Sequence, residues 1–231
     1  MANAIIMASG LGTRMRPLTE TTPKPLITVR GVPMIETVIA ALNERGTEKI
    51  FVVVGYLKEQ FAPLAKKYSN LTLVENPDYA AVNNISSVYY AREALRAGDC
   101  YICEADLYIR NRAILKRKLD ASCYFAKFVA GRSDDWVFDL DSNGRITRVG
   151  KVGKDCYNMV GLTYFTARDA AVLADKIQSA YGSVGYETLF WDEVVNANLK
   201  ELDLRIAEVE PNDIAEIDTV EELEELNGGR E

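Results

Sequence analysis

The sequence contains no histidine. This absence excludes catalytic Ser–His and Cys–His pairs, and it also excludes zinc sites that use a histidine ligand. Any chemistry must therefore come from lysine, arginine, carboxylates, backbone amides or a bound metal ion.

Long apolar runs and an excess of basic residues are also missing. No stretch approaches the roughly 18–20 apolar residues that span a bilayer, and no basic segment precedes the N-terminal apolar run. The net charge is −7, whereas a nucleic-acid-binding surface needs clustered lysine and arginine. We therefore expect a cytoplasmic protein with no membrane insertion and no nucleic-acid partner. A small anionic substrate needs only a local basic patch.

Cysteine is scarce, with four residues in the chain. Cys100 and Cys103 have the C-x-x-C spacing of some zinc and redox sites. They lie in a segment with the pattern of a strand, where residues three apart point to opposite faces. We therefore interpret all four cysteines, including Cys123 and Cys156, as buried or half-buried free thiols.

The first half of the chain alternates between buried strands and helices. The predicted strands are residues 3–8, 50–54, 71–74 and 99–105, and the predicted helices are residues 33–43, 57–68 and 86–97. Continuous apolar runs of strand length are typical of parallel sheets that helices cover. The alternation predicts an α/β fold with a Rossmann-like, mostly parallel sheet flanked by helices on both faces.

The second half has alternating strand patterns and a strong turn, Asp141-Ser142-Asn143-Gly144, which predicts a β-hairpin. The predicted strands are residues 121–129, 136–140, 146–150, 157–165 and 202–207, and the predicted helices are residues 167–180, 187–196 and 219–226. We expect a single domain over residues 1–226. We expect residues 227–231 to form a flexible tail or to begin a linker to a fused or partner domain.

A glycine-containing loop follows the first strand directly and reads Ala8-Ser9-Gly10-Leu11-Gly12-Thr13-Arg14. Its glycines allow backbone amides to approach a polyphosphate, and Arg14 offers a planar fork of donors that matches phosphate oxygens. Ligands of open parallel sheets bind at this end of the strands. A bare G-x-G is more often a simple turn, so the loop alone does not decide the function.

Lys24 lies about ten residues after the arginine, in Thr22-Pro23-Lys24-Pro25-Leu26. The two flanking prolines predict an extended, rigid segment around this lysine. A surface lysine would not need such bracing. The combined pattern, G-x-G-T-R-x-x-P-L-T followed by P-K-P-L, is therefore highly specific.

This pattern resembles the sugar-phosphate nucleotidyltransferase family. The chain is more similar still to one branch, the bacterial CTP:phosphocholine and 2-aminoethylphosphonate cytidylyltransferases. The similar stretches cover residues 55–61, 83–89, 104–106, 190–192 and 216–218. The resemblance implies transfer of CMP from CTP to a small phosphate or phosphonate, with release of pyrophosphate. It also implies a nucleotide-binding half (1–106), an acceptor- and metal-binding half (107–226), and catalytic roles for Arg14 and Lys24.

Three acidic residues form the expected metal site. Asp106 ends the fourth strand, and Glu216 and Asp218 lie two apart, so both face one side of an extended segment. Carboxylates that converge on a triphosphate are typical Mg²⁺ ligands. Asp218 alternatively caps the last helix, since Asp218-Thr219-Val220-Glu221 has capping-box spacing. The resemblance implies Mg²⁺ ligation by all three carboxylates.

The resemblance also assigns a nucleotide pocket. It implies that residues 8–13 hold the phosphates, that Asn84 and Ser87 read the pyrimidine, and that Tyr56 and Glu104 border the same site. An asparagine before a helix is otherwise an ordinary cap. The preference for CTP over UTP rests on the resemblance.

Acceptor binding is expected from two segments, Asp134-Asp135-Trp136 and Phe190-Trp191-Asp192. In choline-type relatives an aromatic set matching Trp136 and Phe190 encloses a quaternary ammonium by cation–π attraction. Core packing is the alternative for both tryptophans. Two adjacent carboxylates suit a primary ammonium, with its three N–H donors, better than trimethylammonium. We therefore favour 2-aminoethylphosphonate over phosphocholine as the acceptor.

Two other functions stay open. A sugar-1-phosphate nucleotidyltransferase shares the N-terminal motif, although such proteins are usually longer. A regulatory domain that binds a nucleotide without turnover is the non-enzymatic alternative, and the joint presence of Arg14, Lys24 and three carboxylates argues against it. An acceptor that is already anionic needs no general base, which fits a chain without histidine.

Overall fold

A seven-stranded sheet forms the centre of the computed structural model, which describes residues 1–228. Its strands are β1 (Asn3–Ala8), β4 (Ile50–Val54), β5 (Leu71–Glu75), β6 (Cys100–Glu104), β8 (Ser122–Leu140), β9 (Ile146–Phe165) and β10 (Leu204–Glu208). Two small antiparallel pairs lie beside it, β2 (Thr28–Val29) with β3 (Val32–Pro33) and β7 (Leu107–Ile109) with β11 (Ile214–Glu216).

The order of the strands confirms the expected α/β architecture. The sheet runs β10-β8-β9-β6-β1-β4-β5, and β6, β1, β4 and β5 are parallel. The strand β9 is antiparallel to both of its neighbours, and β10 is parallel to β8. The sheet is therefore mostly parallel, with an antiparallel hairpin, β8–β9, inserted between β10 and β6.

Helices cover the sheet at α1 (Met34–Arg45), α2 (Ala62–Lys67), α3 (Ile85–Tyr90), α4 (Arg92–Arg96), α5 (Ala167–Ala180), α6 (Trp191–Ala197) and α7 (Val220–Gly228). The helix α1 ends at Arg45, two residues beyond the predicted end. Gly46 has φ of 83°, and its N–H donates to the carbonyls of Leu42 and Asn43, as a left-handed cap requires. The bounds of α5 match the prediction, and most other bounds differ by one or two residues.

Three helix predictions were wrong in their extent. Residues 57–68 contain a short 3₁₀ turn and α2, because Leu57 has φ of 49° and cannot begin a right-handed helix. The predicted helix at 86–97 is divided into α3 and α4 at Ala91. The helix predicted at 187–196 begins only at Trp191, since Leu189 and Phe190 are extended.

The hairpin is longer than predicted. Segments 121–129 and 136–140 join into β8, and segments 146–150 and 157–165 join into β9, with several register shifts between them. Val137 pairs with both Gly150 and Asn158, so β9 contacts β8 twice. This hairpin extends from the sheet beside the ends of β1 and β6.

The hydrophobic core lies on both faces of the sheet. Cys103 belongs to the cluster under α1, and Cys100 belongs to the cluster under α3 to α6, so the two thiols face opposite sides. All four cysteines are free and buried, as predicted.

Among the described residues, none of the helices combines the length and apolar character of a membrane crossing. The predicted tail begins inside α7, and residues 229–231 lie outside the described residues.

Candidate active site

One cavity of about 580 Å³ opens where β1 and β6 end. The loop after β1 lines it through Ser9, Gly10, Gly12, Thr13 and Arg14, together with Ala8. Leu11 was expected here, but it is 38% exposed and lies outside the lining. The cavity is therefore bordered by backbone and an arginine on one side, as a polyphosphate site requires.

Gly12 holds this loop against the lysine segment. Its φ is 62°, and an added Cβ would lie 2.9 Å from Cβ of Lys24 and 3.0 Å from Cγ2 of Thr19. The Thr19 hydroxyl donates to the Gly12 carbonyl at 2.8 Å, and the Tyr56 hydroxyl donates to the Thr19 carbonyl at 2.9 Å. Tyr56 therefore braces the loop and is not among the residues that line the cavity.

Lys24 begins a 3₁₀ turn, Lys24–Leu26, so the predicted extended conformation was wrong at this residue. The Pro23 carbonyl accepts from the Leu26 N–H, and the Lys24 carbonyl accepts from the Ile27 N–H; these bonds close the turn. The lysine is only 8% exposed and its ammonium enters the cavity. Its rigidity, expected from the flanking prolines, comes from this turn and from burial.

The carboxylates of Asp106, Glu216 and Asp218 converge, each offering an oxygen within 4.8 Å of the others. Antiparallel pairing of β7 with β11 places Glu216 opposite Leu107, and the Ile217 N–H donates to the Asp106 carbonyl at 3.2 Å. The sequence pattern predicted the three residues but not this ladder, which joins two distant segments. The resulting group of oxygens fits a hard divalent cation.

Two cationic side chains pair with this carboxylate group. The Lys24 ammonium donates to Asp106 and, at 2.7 Å, to Oδ1 of Asp218, and Arg14 Nη2 donates to the same Asp218 oxygen at 2.7 Å. Desolvation alone would lower the pKa of Lys24, but the attraction and hydrogen bonds of Asp106 and Asp218 raise it above its ordinary value. Lys24 is therefore a permanent cation. Oδ1 of Asp106 is buried and has no hydrogen-bond partner among the described residues.

The side chain of Asp218 does not cap the last helix, α7. Thr219 Oγ1 accepts from the Glu222 N–H at 3.2 Å, and the Glu222 carboxylate accepts from the Thr219 N–H at 2.9 Å. The capping box is thus formed by Thr219 and Glu222. The Asp218 side chain stays directed at Lys24 and Arg14.

Desolvation and mutual repulsion favour protonation of the deeper acids. Both effects raise the pKa of Glu104 well above its ordinary value, with repulsion from Asp106 and Glu216. They also raise the pKa of Glu216 to about 8, even though Glu216 keeps contact with solvent. Gly161, with φ of 72°, leaves space for Glu104, because an added Cβ would lie 3.0 Å from Cγ of Glu104. The cavity thus crowds acidic groups together, and a bound cation would favour their charged forms.

The predicted pyrimidine-reading residues line the same cavity. Ser87 Oγ lies 2.9 Å from Ser9 Oγ, which links α3 to the phosphate loop. The side-chain oxygen Oδ1 of Asn84 accepts from the backbone N–H of Trp191 at 3.0 Å, so this side chain does not cap α3. Within residues 1–228 the side-chain Nδ2–H groups of Asn84 donate no hydrogen bond, and they are available to a ligand.

Sequence reasoning missed two residues near this end of the cavity. Asn76 is buried and donates to Ser9 at 3.1 Å, to Ser86 at 2.8 Å and to Ser87 at 3.4 Å, which fixes the loop against α3. Tyr79 lines the cavity and packs against Gly55, where an added Cβ would lie 2.6 Å from the ring. The position of Asn76 directly after β5 was the sequence signal that could have identified it. No sequence signal pointed to Tyr79.

At the opposite end, Trp136 and Phe190 lie with ring centroids 5.5 Å apart and planes at 67°. Both rings line the cavity, as predicted, and so does Lys151. Trp191 does not: it is 3% exposed and stacks on Tyr124 in the core. Trp191 therefore belongs to the core, whereas Trp136 is half-buried, packing against the core on one side and lining the cavity on the other.

The three predicted acceptor carboxylates have different surroundings. Asp134 also lines the cavity, and its carboxylate binds Arg132 at 2.8 Å while its side chain is 68% exposed. Asp135 lines the cavity and faces Asn158 Nδ2 at 3.5 Å. Asp192 is buried and accepts from the Tyr124 hydroxyl at 3.0 Å; burial raises its pKa to about 7 in spite of that bond. Tyr124 was expected only as a strand residue.

Comparisons with known proteins agree with this geometry. A family profile described as the MobA-like NTP transferase domain matches residues 4–189. A 2-aminoethylphosphonate cytidylyltransferase from Lancefieldella rimae is 56% identical over 98% of this chain and 92% of that protein. A choline-phosphate cytidylyltransferase from Streptococcus pneumoniae is 37% identical over 96% of both chains.

Solved structures give the same result. The structure of CTP:phosphocholine cytidylyltransferase from Streptococcus pneumoniae superposes with a TM-score of 0.89 at 37% identity, over 98% of each chain. A structure described as a glucose-1-phosphate thymidylyltransferase from Bacillus anthracis has a TM-score of 0.80 at 15% identity, which shows a shared fold.

We expect Asp192→Asn to change how stability depends on pH. The folded pKa of about 7 lies above the ordinary value, so wild type loses free energy of unfolding as pH rises through about 4 to 7. The variant lacks this loss and can still accept from Tyr124. The free energy of unfolding of the variant should therefore gain on that of wild type by up to about 4 kcal/mol across that window, at about 1.36 kcal/mol per pKa unit.

Urea unfolding at pH 4.5, 6 and 8 measures this difference. Asp120→Asn, at an exposed acid on the surface, is the matched control and should show no such trend. If the difference in free energy of unfolding between Asp192→Asn and wild type stays constant with pH, the raised pKa of Asp192 is contradicted.

Proposed function

Because this chain belongs to the MobA-like NTP transferase family, we propose that it is a cytidylyltransferase that moves CMP from CTP to a small amino-alkyl phosphonate, with release of pyrophosphate. The acceptor we favour is 2-aminoethylphosphonate, with phosphocholine second. One observation carries the proposal: a single cavity contains a phosphate loop, a buried cation, three converging carboxylates and two aromatic rings.

The carboxylate group fits Mg²⁺, and we propose Asp106, Glu216 and Asp218 as its ligands. Oδ1 of Asp106 is a buried acceptor without a partner in the described chain, which is the condition a cation would satisfy. The ligand set consists only of oxygens, as Mg²⁺ prefers. A bound Mg²⁺ would neutralise charge on the triphosphate and on the leaving pyrophosphate.

The chemistry needs no general base from the protein. An oxygen of the acceptor phosphonate, already anionic at pH 7, attacks the α-phosphorus of CTP and forms the new P–O bond. The bond from the α-phosphorus to the bridging oxygen breaks, and pyrophosphate leaves with its electron pair. Arg14 and Lys24 orient the phosphates and stabilise the charge that develops, and positioning supplies most of the remaining rate.

The nucleoside end of the cavity supports a pyrimidine ligand. The free amide N–H groups of Asn84 match the acceptor oxygen that cytosine carries, and Ser87 lies beside them. Both residues are fixed by bonds to other elements, Asn84 to α6 and Ser87 to the phosphate loop. The side chains of Asn84 and Ser87 are therefore already fixed in position to bind a small planar base.

The acceptor end supports a cationic substrate. Trp136 and Phe190 present aromatic rings, and Asp135 and Asp192 place carboxyl groups in the same lining. A primary ammonium has three N–H donors for such carboxylates, whereas trimethylammonium has none. The identity of 56% with a 2-aminoethylphosphonate cytidylyltransferase, against 37% with a choline-phosphate enzyme, supports the same order.

An acceptor panel tests the proposal. The protein is incubated with CTP, Mg²⁺ and 2-aminoethylphosphonate, phosphocholine or glucose 1-phosphate, and pyrophosphate is measured. Release with 2-aminoethylphosphonate above the other two supports the assignment. Release only with the sugar phosphate would favour the NDP-sugar alternative, and binding of CTP without any release would favour a regulatory domain.

Asp106→Asn should lower kcat by about 10²-fold or more, because the variant keeps the shape of the side chain but loses a charged ligand. Excess chelator should stop pyrophosphate release by wild type, and added Mg²⁺ should restore it. Asp120→Asn is the control, since its carboxylate lies outside the cavity. Full activity in excess chelator would contradict the metal assignment.

Lys24→Met should lower kcat by about 10²–10³-fold, the usual loss when one well-placed charge-stabilising donor is removed. Methionine retains the apolar stem, and circular dichroism checks the fold. The exposed Lys200→Met is the matched control. A Lys24→Met enzyme within twofold of wild type would reduce Lys24 to a structural partner of Asp106 and Asp218.

Asp135→Asn should lower kcat/KM for 2-aminoethylphosphonate by about 10–100-fold more than for phosphocholine, on the scale of one lost charge-assisted hydrogen bond. Asp134→Asn is the neighbouring comparison: Asp134 also lines the cavity, but it is already paired with Arg132, so its replacement should cost less than that of Asp135. Equal losses for both acceptors would refute pairing of Asp135 with the primary ammonium.

A further inference from the structure

The aromatic pair at the acceptor end already holds a cation from the chain itself. The ammonium of Lys151 lies 5.3 Å from the Trp136 ring centroid and 4.9 Å from the Phe190 ring centroid. Lys151 and Trp136 are register partners in the β8–β9 hairpin, so the strand pairing places this lysine over the rings. All three side chains line the cavity.

The rings are the main protein contact of this ammonium. Within residues 1–228, Nζ of Lys151 makes no hydrogen bond and no ion pair. By contrast, two arginines of the same hairpin form ion pairs: Arg132 with Asp134, and Arg148 with Asp139. An exposed lysine on a flexible four-carbon stem, attached only by cation–π attraction, is easily displaced.

We propose that Lys151 determines which acceptor cation the site admits, by occupying the aromatic cage formed by Trp136 and Phe190 until the acceptor replaces it. The inference rests on the proposed function and extends it. Two like charges cannot share one cage, since repulsion at contact distance exceeds the attraction of either ring. An arriving ammonium must therefore exchange with the lysine.

The exchange favours a head group that resembles the one it replaces. A primary ammonium has the same size and charge as the lysine terminus, so it fits the space that Lys151 leaves. Trimethylammonium carries three methyl groups and needs more room than the lysine head group occupied, while the stem of Lys151 still borders the cage. Lys151 thus disfavours the bulkier cation more than the smaller one.

Simple cations test this without turnover. Methylammonium and tetramethylammonium chloride are titrated into the protein at constant ionic strength, with sodium as the ion replaced. Binding is followed by the fluorescence of Trp136, since Trp191 is buried in the core. The variants are Lys151→Ala, Lys151→Arg, which keeps a cation, and Lys154→Ala, an exposed lysine on the same strand that serves as the matched control.

Lys151→Ala should bind methylammonium about two- to fivefold more tightly than wild type, the equivalent of one cation–π contact no longer displaced. It should bind tetramethylammonium about tenfold more tightly, because room for roughly one further methyl group adds about fourfold. Lys151→Arg and Lys154→Ala should resemble wild type. Equal factors for the two cations, or no change, would overturn the inference, as would no binding of either cation by any variant.

Turnover separates this inference from the proposed function. With CTP and Mg²⁺, Lys151→Ala should raise the ratio of kcat/KM for phosphocholine to that for 2-aminoethylphosphonate; a loss common to both acceptors cancels in the ratio. Pyrophosphate release with an unchanged ratio would overturn the role of Lys151 and leave the cytidylyltransferase assignment standing. Absence of release with every acceptor would overturn that assignment, whatever the simple cations show.

Discussion

The ion pairs between Lys24 and the carboxylates of Asp106 and Asp218 join three regions of the chain that the sheet alone would leave separate. Three acidic groups within 4.8 Å of each other repel strongly at low dielectric, and desolvation adds to that cost. The buried ammonium offsets part of the repulsion. The close contact between Gly12 and Lys24 then transmits the position of the lysine to the phosphate loop. The geometry of the cavity therefore depends on one cation.

A common design appears at both ends of the cavity. The carboxylate group holds Lys24 and Arg14, and the aromatic pair holds Lys151. At both places a cationic side chain of the chain itself meets groups that suit a positive charge. This arrangement lowers the cost of buried acids and bare aromatic faces, although Oδ1 of Asp106 has no partner among the described residues. It also means that ligand binding is an exchange of cations, whose net free energy is smaller than the contacts alone would imply.

The sequence predicted most of the parallel half because buried strands, glycine caps and the phosphate loop are local signals. The strands β1 and β4 have the predicted bounds, and the three converging carboxylates were identified from position and resemblance. Long-range pairing was beyond local reasoning. The β7–β11 ladder that unites Asp106 with Glu216, and the placement of Lys151 over two rings, depend on partners far along the chain. Trp191 and Tyr56 resembled site residues by motif, yet packing assigned one to the core and the other to the outside of the loop.

The β7–β11 pairing also has a consequence for biosynthesis. On a ribosome, Asp106 and the phosphate loop emerge well before residues 214–218, which supply two of the three carboxylates. A nascent chain can therefore form much of the cavity lining while the group of three carboxylates is still incomplete. Lys24 has only Asp106 as a partner during that interval. The group of three carboxylates becomes complete only after residues 214–218 have been made and β11 has paired with β7.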